Sequence, residues 1–197
     1  MTERAVAGEE KRRQLLDAAV RVFARKGFHA SRVGDIAEEA GVAHGLLYHY
    51  FRSKDQVLEA VFHDNWSILL TRIASVEETD EPAADQLRHI AAIVLRTWLH
   101  LPDVVRVVIR EFGRSPELAE RIGELAQPID SIARVIERGI ERGEFKQVDP
   151  RVAATVVYGS IDELLTAWVL DRLPAAEEDV AAAEQTLVDV SLRGLEA

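Results

Sequence analysis

Apolar positions recur three and four residues apart along almost the whole chain, the period of helices with one buried face. Leu15, Ala19, Val22 and Phe23 share such a face in a first helix predicted over about Glu10 to Lys26, and Gly27 supplies a left-handed stop. Ser31 is placed to cap a short second helix carrying Ile36 and Ala37 and ending near Gly41, and a third short helix spans about His44 to Phe51. Ser53 followed three residues on by Gln56 reads as a capping box that opens a fourth helix reaching about Val76. After the acidic stretch Glu77 to Pro82, helices are predicted at about 84–100 and 103–113. Ser115-Pro116-Glu117 opens the next, which runs to about Arg142, bends at Pro128 and stops at Gly143. Asp149-Pro150 starts another to about Asp171, and Glu177-Glu178-Asp179 starts the last, to about Arg193. With no alternating strand pattern, the fold class is all-α, about nine helices.

The pattern also divides the chain. Residues 33–51 read as helix, Gly-containing turn, short helix, which is the order of a helix-turn-helix. Ala37 is small enough for the two helices to cross closely, and Gly41 takes the turn. Leu47 and Phe51, four apart, face inward, which leaves His44, Gly45, Tyr48 and His49 on the outer face. Residues 1–54 are therefore expected to form a DNA-binding head, and 55–197 a separate helical body. Gly45 lets a helix lie close to a duplex, while tyrosine hydroxyls and histidine N–H groups can donate to phosphates or base edges. Arg32, beside the Ser31 cap, and Lys54, at the start of the fourth helix, sit where free backbone N–H groups also favour an anion. Tyr50 fits either this face or the seam with the first helix.

Composition supports the division. The 197 residues are 48% hydrophobic and 29% charged, enough to bury a core, and the formal net charge is −10. That charge is uneven: residues 1–55 carry ten Lys+Arg against eight Asp+Glu, and the remainder 14 against 26. Only the head is suited to approach phosphates. There is no cysteine, hence no disulfide or thiolate site. No window approaches the roughly 18 apolar residues of a membrane span, and no signal-like run opens the chain, so a cytoplasmic protein without a membrane partner is expected. HExxH, GxSxG, P-loop and strand-linked GxGxxG motifs are missing, and the six histidines show no tight metal spacing, so neither an enzyme nor a metal site is expected.

The stretch "AAVRVFARKGFHASRVGDIAEEAGVAHGLLYHYFRSKDQVLEAVF" resembles the N-terminal domain of the TetR family of bacterial transcriptional regulators. Phe23, Gly27, Ile36-Ala37, Ala40-Gly41-Val42, Gly45, Leu47-Tyr48, Phe51 and Lys54 carry the likeness. It implies an all-helical homodimer joined through the last two helices, holding double-stranded operator DNA and a small-molecule effector. By position it assigns DNA contacts to Ser31, Arg32, His44, Gly45, Tyr48, His49, Tyr50 and Lys54. Two residues depart from the pattern. Ala43 stands where Ser or Thr often caps the recognition helix, a loss of about 1 kcal/mol of local stability. Leu46 stands where Thr is usual and offers an apolar contact instead of a hydroxyl.

"EFGRSPELAERI", "VIERGIERGEF" and "DPRVAATVVYGSIDELLTAWVLD" are similar to TetR-type repressors of fatty-acid degradation that respond to long-chain acyl-CoA. Such an effector implies an apolar tunnel with cations at its mouth and no bound cofactor. Ile109 and Phe112, with Val105 and Val108, are candidate lining. Arg106, Arg110 and Arg114 recur every four residues, with Arg121 beyond, and suit CoA phosphates or an ordinary salt-bridged face. Trp98, Tyr158 and Trp168 suit the pocket wall or core packing. The small residues of 150–171 and the apolar stripe of the last helix suit a dimer bundle or packing within one chain.

Overall fold

The computed structural model describes residues 3–112 and 126–195. Among the described residues the fold is all-α, with about nine helices, as expected. Helix α1 spans Glu3–Lys26, α2 Val33–Glu39, α3 His44–Tyr50, α4 Lys54–Glu77 and α5 Ala83–Leu95, which a single turn at Thr97–His100 extends. Helix α6 covers Pro102–Val107 and widens into a π-turn at Val108–Phe112. Helix α7 runs Gln127–Glu141, α8 Pro150–Val169 and α9 Glu177–Leu195. The start signal at Ser115-Pro116-Glu117 lies outside the described residues. Pro128 sits in the first turn of α7, where its missing N–H costs nothing, and most of the segment before it, over which a bend was expected, lies outside the described residues.

Local chemistry sets most boundaries. Gly27, Gly41 and Gly143 take positive φ of 78°, 65° and 74° after helix ends. The Ser53 hydroxyl accepts from the Gln56 N–H at 3.2 Å, while the Gln56 side chain returns to the Arg52 N–H at 2.8 Å, one residue before the cap. The Asp149 carboxylate accepts from the Arg151 and Val152 N–H groups at the start of α8. Ser31 does not cap α2. Its side chain is buried and its hydroxyl donates to the Gly27 carbonyl at 2.5 Å, while Asp35 accepts from the Arg32 N–H at 2.8 Å.

Two hydrophobic clusters hold the molecule. The first gathers α1, α2, α3 and the first half of α4, with Phe23, Ile36, Leu47, Phe51, Leu58 and Phe62, and reaches Val104 and Val107 of α6. The second gathers Ile73 of α4 with α5, α7, α8 and α9. Helix α4 thus belongs to both. Its N-terminal half packs in the head and its C-terminal half in the body. Gly139 of α7 is a close-packing point, where a Cβ would stand 2.7 Å from Cε2 of the Phe145 ring and 2.8 Å from the Ala83 Cβ. One described helix, Pro150–Val169, is long and apolar enough to cross a membrane, although no such window was expected. It packs one face against α5 and α7, with Ala154, Val157, Ile161 and Trp168 buried.

Candidate DNA-binding face and effector cavity

The turn between α2 and α3 is fixed by backbone bonds, Gly41 N–H to Glu38 O and Val42 N–H to Ala37 O, both 3.0 Å. Leu47 and Phe51 point into the core, as the four-residue spacing requires. His44, Gly45, Tyr48 and His49 are left exposed, Tyr48 by 56%. A Cβ at Gly45 would meet nothing within 4 Å, so the outward side of α3 is open to a close-lying partner. The His44 ring lies over α2, where a Cβ on Gly34 would come within 2.7 Å of its Cε1. As the sequence anticipates, Ala43 gives α3 no side-chain cap.

Three of the expected contact residues have other partners. Ser31 is enclosed beneath the turn. The Lys54 ammonium donates to the carbonyls of Phe28 (2.6 Å), Ser31 (2.8 Å) and His29 (3.4 Å) and lies 4.3 Å from the centre of the Phe28 ring. A helix N-terminus with a lysine looked like an anion site, yet the carbonyls at the end of the α1–α2 connection reach the ammonium first. Tyr50 is half-buried and packs with the head core, edge-on to His49. That is the seam with α1. Arg32, by contrast, is exposed.

A cavity of about 590 Å³ opens between α4, the Thr97–His100 turn, α6 with its π-turn, and α8. Its wall is mainly apolar, including Phe62, Trp66, Leu69, Val105, Ile109 and Leu165. The size and lining suit a small hydrophobic molecule. Arg72 and Arg110 stand on the wall, with Tyr158, Asp162 and Thr166 along one stripe of α8. Burial, and then the Asp162 charge, raise the Tyr158 phenol above its ordinary pKa. Burial, and then the neighbouring Glu163, raise Asp162.

Of the expected lining, Val105, Val108, Ile109, Arg110 and Tyr158 reach this cavity. Trp98 and Trp168 are buried core, their rings 6.1 Å apart, with the Trp98 indole N–H donating to the Ala175 carbonyl at 3.3 Å. Arg106 turns to Asp103 at 2.9 Å and lies 4.9 Å from the centre of the Trp98 ring. Those two partners hold the Arg106 guanidinium away from the cavity that Arg110 lines. The Phe112 backbone closes that turn, and Arg114 and Arg121 lie outside the described residues. The sequence reading missed Arg72 and the rest of the α4 wall. The signal was present in Phe62, Asn65, Trp66, Leu69 and Arg72, whose helical spacing lines one face of α4.

Direct bonds join cavity and head. The Arg110 guanidinium donates to the Ala24 carbonyl of α1 at 3.3 Å, and Glu111 accepts from the Phe28 N–H at 3.1 Å. Arg12 of α1 forks the Asp64 carboxylate of α4 at 2.7 and 3.1 Å.

A helix-turn-helix head bonded to a helical body with an internal apolar cavity is the build of a ligand-responsive regulator. Residues 15–61 match the family described as "Bacterial regulatory proteins, tetR family", and residues 80–193 match the "Tetracyclin repressor-like, C-terminal domain". The chain belongs to the TetR family and is a transcriptional regulator, not an enzyme. Among its relatives, the fatty acid metabolism regulator protein of Bacillus subtilis is 28% identical over 190 residues, spanning 92% of this chain and 94% of its own. The transcriptional regulator FadR of Bacillus subtilis, solved in complex with stearoyl-CoA, is alike with a TM-score of 0.80 at 27% identity, covering 92% of this chain and 97% of its own. The fatty acid degradation regulator FadR of Bacillus halodurans has a TM-score of 0.82 at 27% identity, covering 93% and 95%.

Proposed function

We propose that this regulator represses fatty-acid degradation genes as a cytoplasmic homodimer on two-fold operator DNA, and that long-chain acyl-CoA releases it. The observation that carries the effector is the apolar cavity with Arg72 and Arg110 on its wall. An acyl chain needs the apolar wall, and CoA phosphates need cations. The stearoyl-CoA complex of the similar Bacillus subtilis regulator supports the same ligand class.

On the DNA side, His44, Gly45, Tyr48 and His49 present the reading face and Arg32 grips the backbone beside it. Ser31 and Lys54 instead hold the head in shape. For dimerisation, α8 leaves Val152 and Val156 exposed by 62% and 63%, and α9 leaves Val190 exposed by 70%. A second copy covering these valines would form a four-helix seam. Release requires only that the ligand bind more tightly to a conformer whose two heads no longer fit successive groove faces. The bonds from Arg110 and Glu111 to the head give the cavity a direct grip on α1.

Thermal unfolding with stearoyl-CoA, stearate and CoA, each alone, tests the effector. Stearoyl-CoA is expected to raise the melting temperature, and R72A or R110A to reduce that rise. No stabilisation by any acyl-CoA length would exclude this effector class and leave the DNA-binding regulator standing.

A further inference from the structure

Helix α3 reads His-Gly-Leu-Leu-Tyr-His-Tyr and carries no lysine or arginine. A helix in a DNA groove is nonetheless held largely by cations on the flanking phosphates. Most cations of the head are already engaged. Arg12 holds Asp64, Arg21 and Arg25 share Glu39 at 2.8 Å each, Lys26 holds Asp35 at 2.9 Å, and Lys54 is bound to carbonyls. Among the described side chains of residues 6–54, the cations without a carboxylate partner are Lys11, Arg13, Arg32 and Arg52.

These remaining cations flank α3. Arg32 precedes α2, on the edge where the His44 ring covers Gly34. The opposite edge of α3, with Leu46 and His49, borders an open groove of about 940 Å³ beside the Tyr50 seam, and Lys11 and Arg13 of α1 also line it. The groove is firmly built, because the Gln14 amide donates to the Ala40 carbonyl at 2.8 Å and ties α1 to the helix-turn-helix. Lys11 meets only the neutral Gln14 side chain at 2.9 Å, and Arg13 is exposed. Glu10 and Asp17 share the groove but form no ion pair with either cation among the described residues.

We infer that Lys11 and Arg13 form a second phosphate clamp, gripping the DNA strand that runs along the His49–Tyr50 edge of α3. The duplex is then held from both sides of a recognition helix that has no lysine or arginine of its own. This rests on the reading of α3 as the DNA-binding helix.

A duplex enriched by the wild-type protein from a random-sequence pool serves as probe, with binding measured by fluorescence anisotropy over a salt series. K11A/R13A is expected to weaken binding evenly on matched and mismatched duplexes. Its slope of log affinity against log salt should shrink by about 0.9 for each lost contact, about 1.8 per bound protomer. R13K should keep the wild-type slope, and R88A, in the body, should leave it unchanged. K11Q and R13Q singly, each expected to remove about 0.9 from the slope, keep the test readable if the double variant melts early. Binding with an unchanged slope in these variants overturns the clamp and leaves the DNA face intact. If the wild type enriches and binds no duplex, the DNA-binding reading falls and the clamp with it.

Discussion

Arg110 lines the body cavity and, with the same guanidinium, donates to the Ala24 carbonyl in the last turn of α1, 3.3 Å away. Its neighbour Glu111 takes the Phe28 N–H at 3.1 Å, so two consecutive residues of the π-turn hold the head. A π-turn is a weaker repeat than an α-helix and has the freedom to change register. A ligand that rearranges it moves α1 and the connection to α2 together.

Glu111→Ala separates that coupling from ligand binding. The variant is expected to bind acyl-CoA as tightly as the wild type, because Glu111 is not on the cavity wall. The ligand-induced loss of DNA affinity should shrink by about fivefold, about 1 kcal/mol of coupling. Paired titrations of DNA binding, with and without stearoyl-CoA, measure it.

Lys54 makes a different prediction from the one its position suggests. Its three carbonyl acceptors and the Phe28 ring make it a clamp on the α1–α2 connection. Lys54→Met is expected to cost about 2 kcal/mol in urea unfolding of the full chain. A phosphate-binding role would instead leave stability unchanged and lower the salt dependence of DNA binding.

How far the sequence reveals the protein differs between head and body. In the head, spacing alone identifies the inward Leu47 and Phe51 and the open Gly45, because a seven-residue helix offers few ways to bury two apolar groups. It does not reveal where Lys54 and Ser31 go, since their partners are backbone carbonyls that any residues could supply. In the body, Ile109, Arg110 and Tyr158 are legible as pocket residues. Arg106 is not, because Asp103 and the face of the Trp98 ring take its guanidinium, and its spacing from Arg110 does not announce those partners. Trp98 and Trp168 look alike whether they line a cavity or fill a core. Here they pack tilted against each other in the core.

Glu77 at the end of α4 gives a pH signature. Arg134 of α7 forks its carboxylate at 2.5 and 2.8 Å, and those hydrogen bonds hold Glu77 below the ordinary carboxylate pKa. A carboxyl lowered in the folded state stabilises fully above its unfolded value. That contribution fades as pH falls through the lowered one. Glu77→Gln is expected to lose about 1 kcal/mol at neutral pH. The gap to the wild type should close as pH drops below about 4.5. Urea midpoints across a pH series check it, and a gap independent of pH would assign the loss to packing.

The most direct measurement is release of DNA by the effector. Stearoyl-CoA is titrated into the complex of the wild-type protein with its selected duplex, with stearate and CoA as separate controls. The account predicts that stearoyl-CoA weakens DNA binding about a hundredfold, about 2.7 kcal/mol of coupling, while CoA alone has no effect. DNA affinity unchanged at saturating stearoyl-CoA would contradict it.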